Sequence, residues 1–142
     1  MSSPHISDAV RAAVAKAAKH RCGYCLTQTR VIGLLMNIDH FVPVSDGGSS
    51  DESNLWLACS WCNGHKAAKL SAPDFQSGQE VPIFNPRLQV WKDHFAWTSD
   101  GLHIVGLTAI GRATVEALQM NNIHVVKSRL LWVAAGWHPP ED

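Results

Sequence analysis

The residues best suited to chemistry lie between Cys22 and Lys69. All four cysteines of the chain fall there, as the C-x-x-C pairs Cys22/Cys25 and Cys59/Cys62. Two such pairs read as a tetrahedral zinc site, each pair on a tight turn that aims both sulfurs the same way. Four thiolates saturate the metal and leave no position for water, so the ion they would hold is structural. The alternative, two disulfides or free thiols, suits a short secreted chain; the first twenty residues carry no apolar signal segment. The two pairs are separated by 33 residues, against about 15–20 in a compact zinc ribbon. Something is therefore built between the knuckles, and it carries the pair Asp39-His40.

Cleaving a phosphodiester requires a base to deprotonate water, a divalent cation to stabilise developing charge, and oxygen ligands for that cation. The imidazole of His40 titrates near neutrality and suits the base. Asp39 offers a carboxylate and Asn63 a carbonyl oxygen, both acceptable to Mg2+ or Mn2+. In a regular strand Asp39 and His40 face opposite sides. A twisted strand end before Pro43 would let both serve one site, with a packed helix bringing Asn63 to Asp39.

This combination, C-x-x-C, D-H, N-L and C-x-x-C-N-x-x-K, resembles the zinc-bearing form of the HNH endonucleases, the ββα-metal nucleases. The resemblance covers about a third of the chain. It implies His40 as general base, Asp39 and Asn63 as ligands of the catalytic cation, and Asn54 as the residue that orders the loop behind the base. Gly47-Gly48 matches the loop glycines of the family. His65 is a second candidate for the metal or the scissile phosphate, and Lys66 and Lys69 are candidates for phosphate contact. The implied cofactors are structural Zn2+ on Cys22, Cys25, Cys59 and Cys62 and a catalytic Mg2+ or Mn2+. The implied partner is DNA, with RNA left open. The tail, through N-P-R-L-Q-V-W-K-D-H-F and G-L-T-A-I-G-R-A-T-V-E-A-L-Q-M-N, resembles an extension of some bacterial HNH proteins; within it Arg87 and His94 are candidates for lining a DNA groove.

The elements that must position these residues follow from local pattern. Ser7 or Asp8 caps a helix running to about residue 20, with Val10, Val14 and Ala17 or Ala18 on one face. Residues 31–42, rich in β-branched and aromatic types, read as a strand broken near Gly33 and ended by Pro43. Residues 44–53 read as an exposed loop, 55–58 as a second strand, and the chain after Cys62 as a helix with Asn63, His65 and Lys66 in its first turn. Residues 71–86 are a breaker-rich connector with Pro73, Pro82 and Pro86. Residues 91–97 and 102–107 form a hairpin around Ser99-Asp100-Gly101. Helices follow over 109–120, capped by Thr108, and 124–135.

The fold class is α+β: a zinc-stabilised ββα-metal core over 20–70, preceded by a helix and followed by a hairpin-plus-helices extension over 71–142 that packs on it, all within one domain of 142 residues. No stretch is apolar enough for a membrane span, and a cytoplasmic location with no membrane partner is the default. Twelve Lys/Arg balance twelve Asp/Glu, and that neutrality favours an alternative reading, a zinc-stabilised nucleic-acid-binding module that does not cut. The balance is uneven, however. Residues 1–70 hold seven basic and five acidic side chains, and Lys16, Lys19, Arg21, Arg30, Lys66 and Lys69 cluster around the motif, which reads equally as a local basic face or as scattered solvated charge. Six tryptophans supply large apolar areas to a core.

Overall fold

The computed structural model describes residues 5–141. Helix α1 (Asp8–Ala17) starts where Ser7 Oγ accepts the Val10 amide at 3.2 Å. Its buried face presents Val14, with Val10 beside it, to Ile38 and Leu55. After the first knuckle comes a single turn, α2 (Thr29–Ile32), closed by Gly33 in the left-handed region. Then β1 (Asn37–His40) pairs antiparallel with β2 (Leu55–Ala58), His40 opposite Leu55 and Asp39 opposite Trp56. Two short 3-10 turns, Val44–Asp46 and Glu52–Asn54, shape the loop between them. Helix α3 (Ser60–Lys66) follows directly and packs on β1. The order strand, loop, strand, helix is that of the expected ββα core.

The extension begins with a ribbon of β3 (Ser71–Asp74) and β4 (Gln79–Pro82). A single turn α4 (Trp91–His94) leads into the hairpin of β5 (Phe95–Trp97) and β6 (Ile104–Gly106). Helices α5 (Ala109–Ala117) and α6 (Ile123–Ala134) complete it, capped by Thr108 and Asn122. Cys22, Tyr24, Leu57 and Cys62 of the front segment share one buried cluster with Phe84, Phe95, Ile104, Leu118 and Met120 of the extension. The mixed architecture of small sheets and six helices among the described residues is α+β, as expected.

Several local expectations are corrected. The run 31–42 is not one strand. The amides of Val31, Ile32 and Gly33 bond back to Gln28 and Thr29 carbonyls, and Leu35 is 94% exposed. A β-branched run forms a strand only where a partner exists, and β2 is four residues long. Helix α3 starts three residues before Asn63, because Cys59 Sγ caps it by accepting the Cys62 amide. Residues 91–94 are helix rather than strand. The connector contains the β3–β4 ribbon: both strands are edges, where proline costs no ladder bond, and Arg112 of α5 grips Asp74 through two 3.0 Å bonds. That guanidinium holds the Asp74 carboxyl well below the usual carboxylate range. Helix α5 ends at Ala117 because the chain turns through Gln119, whose φ is 50°.

Candidate functional site

The four cysteines converge from the two knuckles. The first turn is closed by Leu26 N on Cys22 O at 3.0 Å and Cys22 N on Thr27 O at 2.9 Å. A side chain at Gly23 would meet Trp56 at 2.1 Å, so only glycine lets the turn approach β2 this closely. The second pair brackets the start of α3. The four sulfurs lie within 4.8 Å of one another, with Cys25 and Cys59 at 3.7 Å. A disulfide needs about 2.05 Å between sulfurs; a tetrahedron with Zn–S near 2.3 Å has edges of about 3.8 Å. The donor set therefore fits a zinc ion. Amides of Tyr24 and Cys62 donate to Cys22 and Cys59 Sγ, each at 3.4 Å. Burial pushes the Cys22 thiol up, and neighbouring Cys22, Cys25 and Cys59 push Cys62 up. Four thiolates at this spacing require a cation between them.

One residue that belongs to this centre is absent from the sequence reading. Arg129 of α6 is fully buried, its guanidinium held by the carbonyls of Leu102 and Met120, by Asn121 Oδ1 and by the face of Trp97. Its Nε has no hydrogen-bond partner among the described residues. It lines the same groove, of about 330 Å³, as Cys25, Cys59 and Cys62. Burial lowers its pKa while the sulfurs of Cys25, Cys62 and Cys59 favour its charged form. A tetrathiolate zinc centre carries a net charge near −2, and a buried cation beside it compensates part of that charge. The signal was not available locally, since Arg129 lies 67 residues beyond Cys62 on an otherwise ordinary helix.

The residues proposed for cleavage gather around the far end of β1. Asn54 clamps the intervening loop: its Oδ1 accepts from Val42 N at 2.9 Å, and its Nδ2 donates to Val42 O at 3.0 Å and Ser49 O at 2.8 Å. Gly48 passes so close to Val42 O that a Cβ would stand 1.7 Å from it. The clamp sets Ser50 Oγ 3.0 Å from His40 Nε2. Asp39 is buried, with Tyr24 Oη donating to Oδ2 at 3.1 Å and Lys66 Nζ at 3.5 Å from the same oxygen. Burial raises the Asp39 pKa, and Lys66, Tyr24 and nearby His40 oppose the rise.

Helix α3 sorts the remaining candidates by face. Lys66 turns toward β1, its Nζ donating to Phe41 O at 2.9 Å. The expected phosphate contact of Lys66 is corrected by its burial: it is 0% exposed and its charge is spent on Asp39. Burial lowers its pKa and Asp39 opposes that shift. Asn63, one turn earlier, shares this face; its side chain makes no hydrogen bond among the described residues. His65 is about 200° round the helix from Asn63. It stacks on Trp61 at 4.4 Å with Nδ1 3.0 Å from Trp61 O. Lys69 is exposed, and its Nζ donates to His65 O at 2.7 Å. Arg87 Nη2 donates to Leu55 O and its guanidinium lies over Trp56, while His94 Nδ1 meets Thr108 Oγ1 at 2.7 Å. Both are engaged within the chain.

With the geometry in view, comparison with known families is informative. Residues 22–69 match the family model for HNH endonucleases. The match covers about a third of the chain, and the four cysteines in that segment are positioned to form a zinc site, consistent with the two-C-x-x-C form of the family. The match points to nuclease or nucleic-acid-related activity. No curated protein matches the chain, and no solved structure matches it.

Proposed function

We propose that the chain is a metal-dependent endonuclease that hydrolyses DNA phosphodiester bonds, with His40 as the base that activates water. The observation that carries the reading is the HNH match over 22–69; the clamped loop around His40 adds to it. In this reading Asn54 fixes Val42 and Ser49, and Ser50 fixes the imidazole plane through Nε2. Nδ1 makes no hydrogen bond among the described residues and is the nitrogen left to take a proton. Asp39 uses Oδ2 for Tyr24 and Lys66, which leaves Oδ1, with the amide oxygen of Asn63, as the oxygen donors a hard cation accepts. A divalent cation bound there, Mg2+ or Mn2+, would stabilise negative charge at the phosphate and the leaving oxygen. Lys66 opposes the upward push of burial on the Asp39 carboxyl and aims it. His65, on the other face of α3, stands outside this set.

The second reading, a nucleic-acid-binding module without cleavage, is favoured by one observation: Asp39 is already neutralised by Lys66. Supercoiled plasmid incubated with Mn2+ or Mg2+ separates the two. Wild type nicks the plasmid, and His40→Ala, with unchanged zinc content, loses about 100-fold or more of that rate, the usual contribution of a general base. A gel shift of equal strength for both proteins with no cut product rejects the nuclease.

A further inference from the structure

The basic residues near the first knuckle are only partly absorbed by the reading above. Lys19, Arg21 and Arg30 line one cleft of about 380 Å³, whose opposite wall is the segment 136–141 with Trp137. The cleft is built, with its walls joined across more than a hundred residues of sequence. Gln28 Nε2 donates to Trp137 O at 2.7 Å, and Gln28 Oε1 accepts from Arg30 Nε at 3.2 Å. That single amide thus fixes both the Trp137 backbone and the Arg30 guanidinium, whose two Nη groups make no hydrogen bond among the described residues. Arg21 is nine-tenths buried, yet its guanidinium makes one hydrogen bond among the described residues, 3.4 Å to the Glu141 carbonyl. None of the three cations has a carboxylate partner there. Glu141 is the acidic residue on the lining, against three cations. Trp137 is 53% exposed, and it shares a second hollow, of about 220 Å³, with Arg30 and Val31.

A buried guanidinium with no carboxylate partner among the described residues, flanked by two further cations, is short of an anion with several acceptor oxygens. A half-exposed indole beside it is a platform for a planar ring. Cationic grooves lined with aromatics hold single-stranded nucleic acid in this way, phosphates on the cations and bases on the rings. We propose that this cleft is a second nucleic-acid subsite, which holds an unpaired strand flanking the cleavage site: its phosphates on Lys19, Arg21 and Arg30, and one base on Trp137. The inference rests on the nucleic-acid reading of the HNH segment, and makes a partly single-stranded DNA the preferred ligand.

The test uses the zinc-loaded full chain carrying His40→Ala, without divalent cation so that nothing is cut. Fluorescence anisotropy compares a labelled blunt duplex with the same duplex bearing a ten-nucleotide single-stranded tail. The tailed duplex binds more tightly. Lys19→Gln/Arg30→Gln, two exposed positions that leave the core alone, weakens tailed binding about tenfold and flattens the log Kd against log salt slope by about 2. Trp137→Ala removes about tenfold from the tailed duplex and nothing from the blunt one. Arg21→Gln acts in the same direction. Equal affinity of the parent for both duplexes overturns the proposal, as do cleft variants with full zinc content, wild-type affinity and an unchanged slope. Plasmid nicking separates this from the nuclease reading. Wild type that nicks while its cleft variants bind tailed duplex normally rejects the cleft alone; wild type that never nicks but shows the cleft effects rejects the nuclease alone.

Discussion

Asp39 and Lys66 depend on each other. A carboxylate at this depth pays a desolvation cost that Lys66 and Tyr24 offset. Removing one member leaves the other charged and alone, which typically costs about 3–5 kcal/mol, whereas replacing both costs far less. Lys66→Met is therefore expected to lower the urea-unfolding free energy by about 3 kcal/mol, and Lys66→Met/Asp39→Asn to recover most of it. If Lys66→Met is no less stable than wild type, the pair is not what holds α3 to β1. The identity of Asp39 as a candidate was legible, because D-H stands between two C-x-x-C pairs. Its partner was not. Lys66 lies 27 positions on, and nothing in a sequence tells a lysine turned to water from one folded under a strand.

Arg129 of α6 lines one groove with Cys25, Cys59 and Cys62 of the knuckles. Cys59→Ser removes a ligand and the cap of α3 together, so it is expected to lose zinc and unfold the core, since zinc binding is folding free energy. Retained zinc in a folded mutant would refute the assignment. Arg129→Met keeps the volume of the side chain and removes the cation beside the thiolates. It is expected to weaken zinc retention about 10–100-fold against a competing chelator, as loss of other outer-shell partners of a metal does. Unchanged retention would reduce Arg129 to a packing residue held by Leu102, Met120 and Asn121. These elements also show where pattern reading stops. The cap signals at Ser7 and Thr108 agree with the structure, because a cap acts within one turn, whereas Asn121-Asn122 does not end α5, which stops at Ala117, and Asn122 instead caps α6. The run 31–42 and the ribbon β3–β4 did not read correctly, because a strand exists only by virtue of its neighbour.

Across the molecule, the extension is fastened to the HNH segment by polar side chains at named points. Trp91 Nε1 donates to Tyr24 O at 2.7 Å, Trp61 Nε1 is 3.1 and 3.0 Å from the carbonyls of Leu118 and Gln119, and Arg87 reaches Leu55 O at 3.1 Å. Near the end of the chain His138 is buried against Trp97 and Trp132, with Nε2 unpartnered among the described residues. Burial first, and then the charge of Arg129, push its pKa down to about 4 from 6.5. A depressed histidine contributes stability that is present above its unfolded pKa of 6.5 and is lost as pH falls through about 4. Wild type is thus expected to lose about 2 kcal/mol between pH 7 and pH 5 on this account. In His138→Phe, measured by urea unfolding with zinc content followed in parallel, that part of the loss disappears. An identical pH dependence in both proteins would show that His138 does not drive the acid sensitivity.

The amino-acid order alone pointed to the four cysteines as candidate zinc ligands, to the candidate base, to the ββα order and to the α+β class, and its family resemblance pointed to Asn54 as the loop-ordering residue. These rest on residue types at short fixed spacings and on capping and turn chemistry, which are local. Only the folded chain decided that Lys66 is spent on Asp39, that Asn63 and His65 occupy different faces of α3, that Arg129 lines one groove with three of the cysteines, and that Arg21, Arg30 and Trp137 share one cleft. Each of those joins residues far apart in sequence or depends on helical phase set by the true start of α3. Distant charges and faces meet only through packing, and packing is a property of the whole chain.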